Sequence, residues 1–87
     1  MQPDTGLHVS VDMIDILFFG RVADNLGKRR MEMTLPAEGL SLYDLRQRLF
    51  SEGDERFRMS VNQVVVMDDR PLNDGDEVAF FSVFSGG

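Results

Sequence analysis

The sequence predicts an α+β fold in which a mixed sheet of four or five strands packs against one main helix. Segments rich in strand-forming residues come in two pairs, and a helical segment with a clear start lies between the pairs. A helix in that position supplies the crossover that parallel strand pairing requires. A chain of 87 residues makes one domain with a small core, which suits a single layer of helix on sheet.

The first strand pair follows a polar leader at residues 1–12. Residues 13–19 are dense in strand formers, and both faces of this segment are largely apolar, which is typical of a central strand. A short helical turn ending at Gly27 is expected next. Residues 30–35 alternate again between apolar and polar side chains, so we expect them to pair with the first strand as a hairpin.

The main helix has the clearest local start signal in the chain. Ser41 at the N-cap and Asp44 three residues later form a capping box. Gly53 is predicted to end the helix. An apolar face is predicted from three leucines at helical spacing, which are Leu42, Leu45 and Leu49.

The second strand pair is predicted at residues 61–67 and 77–84. Two turns separate these strands, one at residues 68–71 and one at residues 73–76, where Gly75 supplies the positive φ angle. Strand pair, helix and strand pair in this order make the ubiquitin-like, β-grasp arrangement. The whole chain is then a leader, a β-grasp domain and a short tail, at residues 1–12, 13–85 and 86–87.

Composition excludes several classes of function. Nine Lys+Arg against fifteen Asp+Glu give a net charge of −6, which argues against nucleic acid and against an anionic membrane as partners. Because the chain has no cysteine, it has neither a thiolate metal site nor a cysteine nucleophile. Because it has one histidine, His8, a metal site with two histidines is impossible within one chain. Carboxylates cluster in the turns, where we expect them to cap backbone groups and not to bind metal. Without a secretory signal or a membrane span, the expected compartment is the cytoplasm.

The end of the chain carries the most specific chemical signal. No residue from 78 to 87 has a charged side chain, and the chain stops at Gly86-Gly87. A terminal carboxylate reacts as an electrophile only after activation, which takes place inside an enzyme site that excludes water. Two residues without Cβ can thread a narrow channel into such a site. The reactive atom of this protein is then the terminal carbonyl carbon of Gly87.

The sequence resembles the sulfur-carrier small subunits of molybdopterin synthase, a ubiquitin-like family, over residues 13–87. The most specific matching segment runs from Pro71 to Phe81 and reads PLNDGDEVAFF, and the Ser-Gly-Gly end matches as well. Two shorter segments support the resemblance, residues 16–19 and 61–63.

This resemblance implies a carrier function for the tail. An activating enzyme related to ubiquitin-activating enzymes uses ATP to adenylate Gly87, and a sulfurtransferase system converts it into a thiocarboxylate. Gly86 is implied to thread the channel beside it. The chain itself is implied to be a non-catalytic, sulfur-donating subunit with no bound cofactor or metal.

The resemblance also implies a docking surface for the large subunit of molybdopterin synthase. The matching positions are Phe19, Val65 and Phe81, with Phe84 nearer the tail. The first three are predicted to lie on the sheet face opposite the core. A face in contact with water alone would carry polar side chains, so an apolar cluster there indicates a contact site. Cover by the leader or by a second copy of the chain is the alternative explanation of this apolar face.

Two departures from the family pattern lie beside the tail. Ser82-Val83 replaces the usual pair of prolines, and Phe84 replaces a smaller aliphatic residue. Three alternative functions stay open at this point. They are sulfur carriage in thiamine-type synthesis, ubiquitin-like attachment to lysines, and non-covalent binding in which the two glycines have no role.

Overall fold

The computed structural model describes residues 11–50 and 57–82, and all structural statements concern these ranges. The predicted leader lies almost entirely outside them, so its boundary stays a prediction. Over the described residues the chain forms five strands and two helices. In chain order these are β1 (Met13–Phe19), α1 (Arg21–Leu26), β2 (Arg30–Thr34), α2 (Leu42–Leu49), β3 (Phe57–Val61), β4 (Val64–Val66) and β5 (Glu77–Ser82).

The strands form one mixed sheet in the order β2-β1-β5-β3-β4. β1 and β5 are central and parallel, and Ile16 lies opposite Val78 in their register. β2 pairs antiparallel with β1, which confirms the predicted hairpin. Because α2 lies in the crossover between the two strand pairs, the parallel contact is possible and the β-grasp prediction is confirmed.

The core lies between one face of this sheet and α2. Alternate residues of the central strands point into it, and Ile16, Val78 and Phe80 are fully buried. From the helix, Leu42 and Leu45 are also fully buried and belong to the same cluster. Burial of each such side chain contributes about 1.5–3 kcal/mol, so this single layer holds most of the stabilising apolar area.

The start of α2 is the one that the sequence predicts. The side-chain oxygen of Ser41 accepts a hydrogen bond from the backbone N–H of Asp44 at 3.1 Å. The carboxylate of Asp69 accepts a second one from the N–H of Tyr43 at 2.8 Å. Two of the donors that every helix leaves unpaired at its start are therefore satisfied.

The helix ends at Leu49, earlier than the predicted end at Gly53, which lies outside the described residues. Phe50 has left the helical conformation, with φ −131° and ψ 74°. Its ring packs 4.7 Å from that of Phe57 and 5.2 Å from that of Phe80, between centroids. An aromatic cluster of this geometry adds about 0.5–1.5 kcal/mol per pair, which explains why the chain turns here.

The prediction of one strand at residues 61–67 is wrong. The structure has a hairpin there, in which β3 ends at Val61 and β4 begins at Val64. The two residues between them, Asn62 and Gln63, have φ angles of 53° and 71°. Such a pair of positive φ angles makes the turn whose twist matches antiparallel strands, and Asn tolerates this conformation better than most residues. Of the predicted last strand, the described part is Glu77–Ser82.

Replacement of Asn62 with alanine is expected to lower the free energy of unfolding by about 1–3 kcal/mol. The Asn62 amide donates to the Asp76 carboxylate at 2.9 Å, and its carbonyl accepts from the Glu77 N–H at 3.0 Å. Both bonds tie the hairpin to the start of β5. Urea unfolding followed by circular dichroism measures the change. The control is Gln63→Gly at the neighbouring positive φ angle, for which we expect equal or higher stability. Equal stability of Asn62→Ala and the unmodified chain would contradict this account.

Candidate functional site

The sheet face opposite α2 carries an exposed apolar surface. Phe19 and Val65 are each 50% exposed, and Phe81 is partly exposed. Phe19 and Phe81 are register partners on the two central strands, so their side chains lie next to each other. The structure thus places these three predicted docking residues on one face. Their role in binding stays a prediction.

The floor between the two phenylalanines and Val65 consists of small side chains. Ser60 of β3 pairs with Ala79 of β5 on one side and with Val65 of β4 on the other. Ser60 and Ala79 are only 8% and 7% exposed, although they lie on the outer face of the sheet. The centre of this face is therefore shallow and is bordered by larger side chains, a shape that a protruding apolar residue of a partner can fill.

Sequence reasoning missed two residues of this face, Arg58 and Met67. Met67 is 67% exposed at the end of β4, two positions after Val65, so the strand period could have indicated its side. Arg58 lies on β3 directly opposite Phe81. Its segment had no predicted strand, and the sequence pattern therefore gave no sign of its side.

A groove of about 520 Å³ borders this face beside Phe19. Its lining includes Leu17, Gly20 and Arg29. Gly20 has a φ angle of +62°, which L side chains rarely adopt, and a Cβ there would lie 3.9 Å from the side-chain oxygen of Ser82. The groove thus lies next to the last described residue of β5, at the end of the sheet where the chain continues towards Gly87.

The predicted tail residues themselves lie outside the described residues. This applies to Gly86, to Gly87 and to Phe84. The described part shows where the tail begins. Ser82 ends β5, a central strand, and Phe81 next to it belongs to the exposed apolar surface. The tail and the candidate docking surface are therefore adjacent along the chain.

The two ends of the sheet differ in charge. Acidic residues gather where β1 and β5 begin, and Asp15 lies opposite both Glu32 and Glu77 in the strand registers. Cations gather where β1 ends and β2 begins, and one more, Arg58, lies beside the last residues of β5. These cations are Arg21, Lys28, Arg29, Arg30 and Arg58. Asp24 lies among these cations, and Arg30 is paired with Asp15 and Glu32, so the excess of positive charge at this end, beside the candidate docking surface, is smaller than the number of cations.

Turn carboxylates cap backbone groups, as predicted. Asp69 accepts from the N–H groups of Tyr43 and Arg70, Asp74 from that of Met13 and Asp76 from that of Asn73, at 2.8–2.9 Å. Within residues 11–50 and 57–82, no group of three metal-ligating side chains is close enough to hold a metal ion. No helix in these ranges is long and apolar enough to cross a membrane.

Comparison with known proteins assigns the chain to a family. The model of the ThiS family matches residues 16–87, a span that begins in β1 and includes the Gly-Gly end. The chain belongs to the ThiS family. It is also 36% identical over 83 residues to the molybdopterin synthase sulfur carrier subunit of Escherichia coli. That match covers 86% of this chain and 100% of the relative. The resemblance found in the sequence is therefore confirmed, and with it the β-grasp fold of the ThiS family member.

Proposed function

We propose that this protein is a sulfur carrier in molybdenum cofactor biosynthesis. Its Gly87 carboxylate becomes a thiocarboxylate and donates sulfur to the dithiolene of molybdopterin within molybdopterin synthase. The observation that carries the proposal is the similarity to a sulfur carrier subunit of this enzyme over that relative's whole length. The family match also runs through Gly87, so the reactive end belongs to the shared part.

The proposed chemistry takes place at the carbonyl carbon of Gly87. A carboxylate oxygen attacks the α-phosphate of ATP in the activating enzyme, pyrophosphate leaves, and an acyl adenylate results. A sulfur nucleophile, supplied as a sulfide equivalent, then attacks the acyl carbon. The C–S bond forms as the C–O bond to AMP breaks, which leaves the thiocarboxylate. Two activated carriers provide the two sulfurs of one dithiolene, and each returns to a carboxylate when its sulfur is transferred and water replaces it.

This division of chemistry fits the residues of the chain. The carrier supplies an acyl group on a tip without side chains, and other proteins supply ATP and the sulfur nucleophile. Gly86, like Gly87, must lack a side chain, because both residues pass through a channel that is too narrow for a Cβ. We further propose that the chain holds no resident cofactor and acts in the cytoplasm, a reducing compartment that suits a protein without cysteine.

Docking to the large subunit is assigned to the exposed apolar surface. Phe19 and Phe81 offer large aromatic contact area on a sheet face that α2 does not cover. A partner seated there is next to Ser82 and so next to the base of the tail. Five residues after Ser82 span at most about 17 Å when extended, which brings Gly87 into a site within that distance. Phe84, in this segment, is proposed to contact the same partner.

Intact mass spectrometry tests the proposed carrier function. The purified chain is incubated with its activating enzyme, ATP and sulfide, and the mass is expected to rise by the exchange of one oxygen for one sulfur. Fragmentation should confine the change to the peptide that contains Gly87. A reaction without ATP is the control, in which the mass should not change. An unchanged mass with all components present, or isopeptide bonds to lysines in its place, would contradict the proposal.

A further inference from the structure

Arg58 lies in the middle of the apolar surface proposed for docking. It pairs with Phe81 across β3 and β5, and its side chain is exposed. On the other side, its Nη1 atom lies 4.0 Å from the sulfur of Met67. A cation is thus placed between the central phenylalanines and the residues at the end of β4.

The guanidinium of Arg58 has no strong acceptor among the described residues. Both ion pairs found in residues 11–50 and 57–82 belong to Arg30, which contacts Asp15 at 3.2 Å and Glu32 at 3.9 Å. The contact that Arg58 makes is with a thioether, which is a weak acceptor. Among the residues that the structure describes, its N–H donors therefore have no oxygen acceptor, and the exposed side chain is open to water.

A partner that covers this face must replace that water. An isolated cation that loses its solvent without a new acceptor is strongly destabilised, and this would offset much of the gain from burying Phe81 and Val65. A carboxylate matches the planar fork of arginine with two parallel hydrogen bonds. We infer that Arg58 is a specificity-determining residue that pairs with a carboxylate on the apolar docking surface of the large subunit. This inference rests on the proposed function.

The charge distribution favours this partner over a second copy of the chain. Arg58 on this face and Arg29 in the neighbouring groove favour an acidic rim on the partner, despite the net charge of −6. In a symmetric dimer each copy presents the same patch to the other. A symmetric dimer centred on Arg58 would bring the two copies of this cation together, because the acidic residues of the same face, Asp15 and Glu77, lie at the other end of the strands, and this disfavours that contact.

Binding of the purified large subunit to the full chain tests the inference. Affinity is measured by titration calorimetry for the unmodified chain and for Arg58→Gln, Arg58→Glu and the control Arg48→Gln. Arg48 is an exposed arginine on α2, away from the docking face. We expect Arg58→Gln to weaken binding about tenfold, Arg58→Glu to weaken it further, and Arg48→Gln to have no effect. Charge reversal of the matching acidic residue of the large subunit should restore binding of Arg58→Glu.

The outcomes separate this inference from the proposed function. If the large subunit binds the unmodified chain and the Arg58 variants equally well, Arg58 has no part in recognition and the carrier function stands. If the variants bind weakly but no charge reversal on the large subunit restores Arg58→Glu, the paired carboxylate is wrong. If the unmodified chain does not bind the large subunit, both proposals are overturned. Urea unfolding of each variant shows that a weaker affinity is not caused by partial unfolding.

Discussion

Replacement of Gly87 with alanine is expected to reduce sulfur delivery at least about 100-fold, since misplacement of a reacting group by about 1 Å has effects of that size. The added Cβ lies next to the acyl carbon, where it narrows the channel and obstructs the incoming sulfur nucleophile. The fold should not change, because the substitution is at the last residue of the chain. Thiocarboxylate formation by mass spectrometry and molybdopterin formation in a reconstituted synthase measure the effect.

Ser85→Ala is the matched control for this variant. It changes a tail residue that already has a Cβ, two positions from the reactive end, and we expect near-normal delivery. A general sensitivity of the tail to substitution would reduce delivery in both variants. Normal delivery by Gly87→Ala would disprove the argument that the end must be free of side chains, and with it the chemical reason for the glycine pair.

Phe81→Glu is expected to weaken binding of the large subunit about 100-fold or more, as substitutions of central aromatic residues do in protein interfaces. The variant removes an aromatic contact from the centre of the apolar surface and places a carboxylate directly opposite Arg58, where it pairs with the cation that we infer contacts the large subunit. Phe81 faces away from the core that Phe80 fills, so the chain should still fold. Titration calorimetry measures the affinity, and circular dichroism with urea unfolding checks the fold.

Val64→Glu is the control for this experiment. Val64 is 62% exposed and lies on β4, but it neighbours Val65 along the strand and therefore points to the opposite side of the sheet. The same change of chemistry there should leave the affinity unchanged, whereas Val65→Glu should lower it. If Phe81→Glu binds the large subunit as tightly as the unmodified chain does, this face is not part of the interface.

Local signals in the sequence predicted an element correctly where the conformation that its residues prefer is also the one that the packing of the fold requires. Two apolar faces on residues 13–19 predicted a central strand, and β1 does lie between β2 and β5. Ser41 and Asp44 predicted the start of α2, and the hydrogen bond between them is present. In both cases the preference of the segment and the final packing point to the same conformation.

The errors arose where a tertiary contact or a turn overrides a local pattern. The run of valines after Gln63 concealed the turn at Asn62 and Gln63, because this turn contains no glycine, the residue that most often marks positive φ angles. The end of α2 depends on the packing of Phe50 against Phe57, which begins β3, and against Phe80, which is 30 residues further along the chain than Phe50. The contact with Phe80 cannot be inferred from the residues around Gly53.

From its residues alone, this chain could be assigned a β-grasp fold and a place in a sulfur-carrier family, which are confirmed, and a reactive terminal glycine, which stays a prediction. These three conclusions depend on the spacing of apolar residues along strands and helices, on composition and on a chain end without side chains. All of these are properties of contiguous segments. The tertiary structure decided which side chains share the exposed face and placed Arg58 opposite Phe81, beside the end of β5. Such features depend on strand register, and register is set by the packing of the whole sheet on its helix.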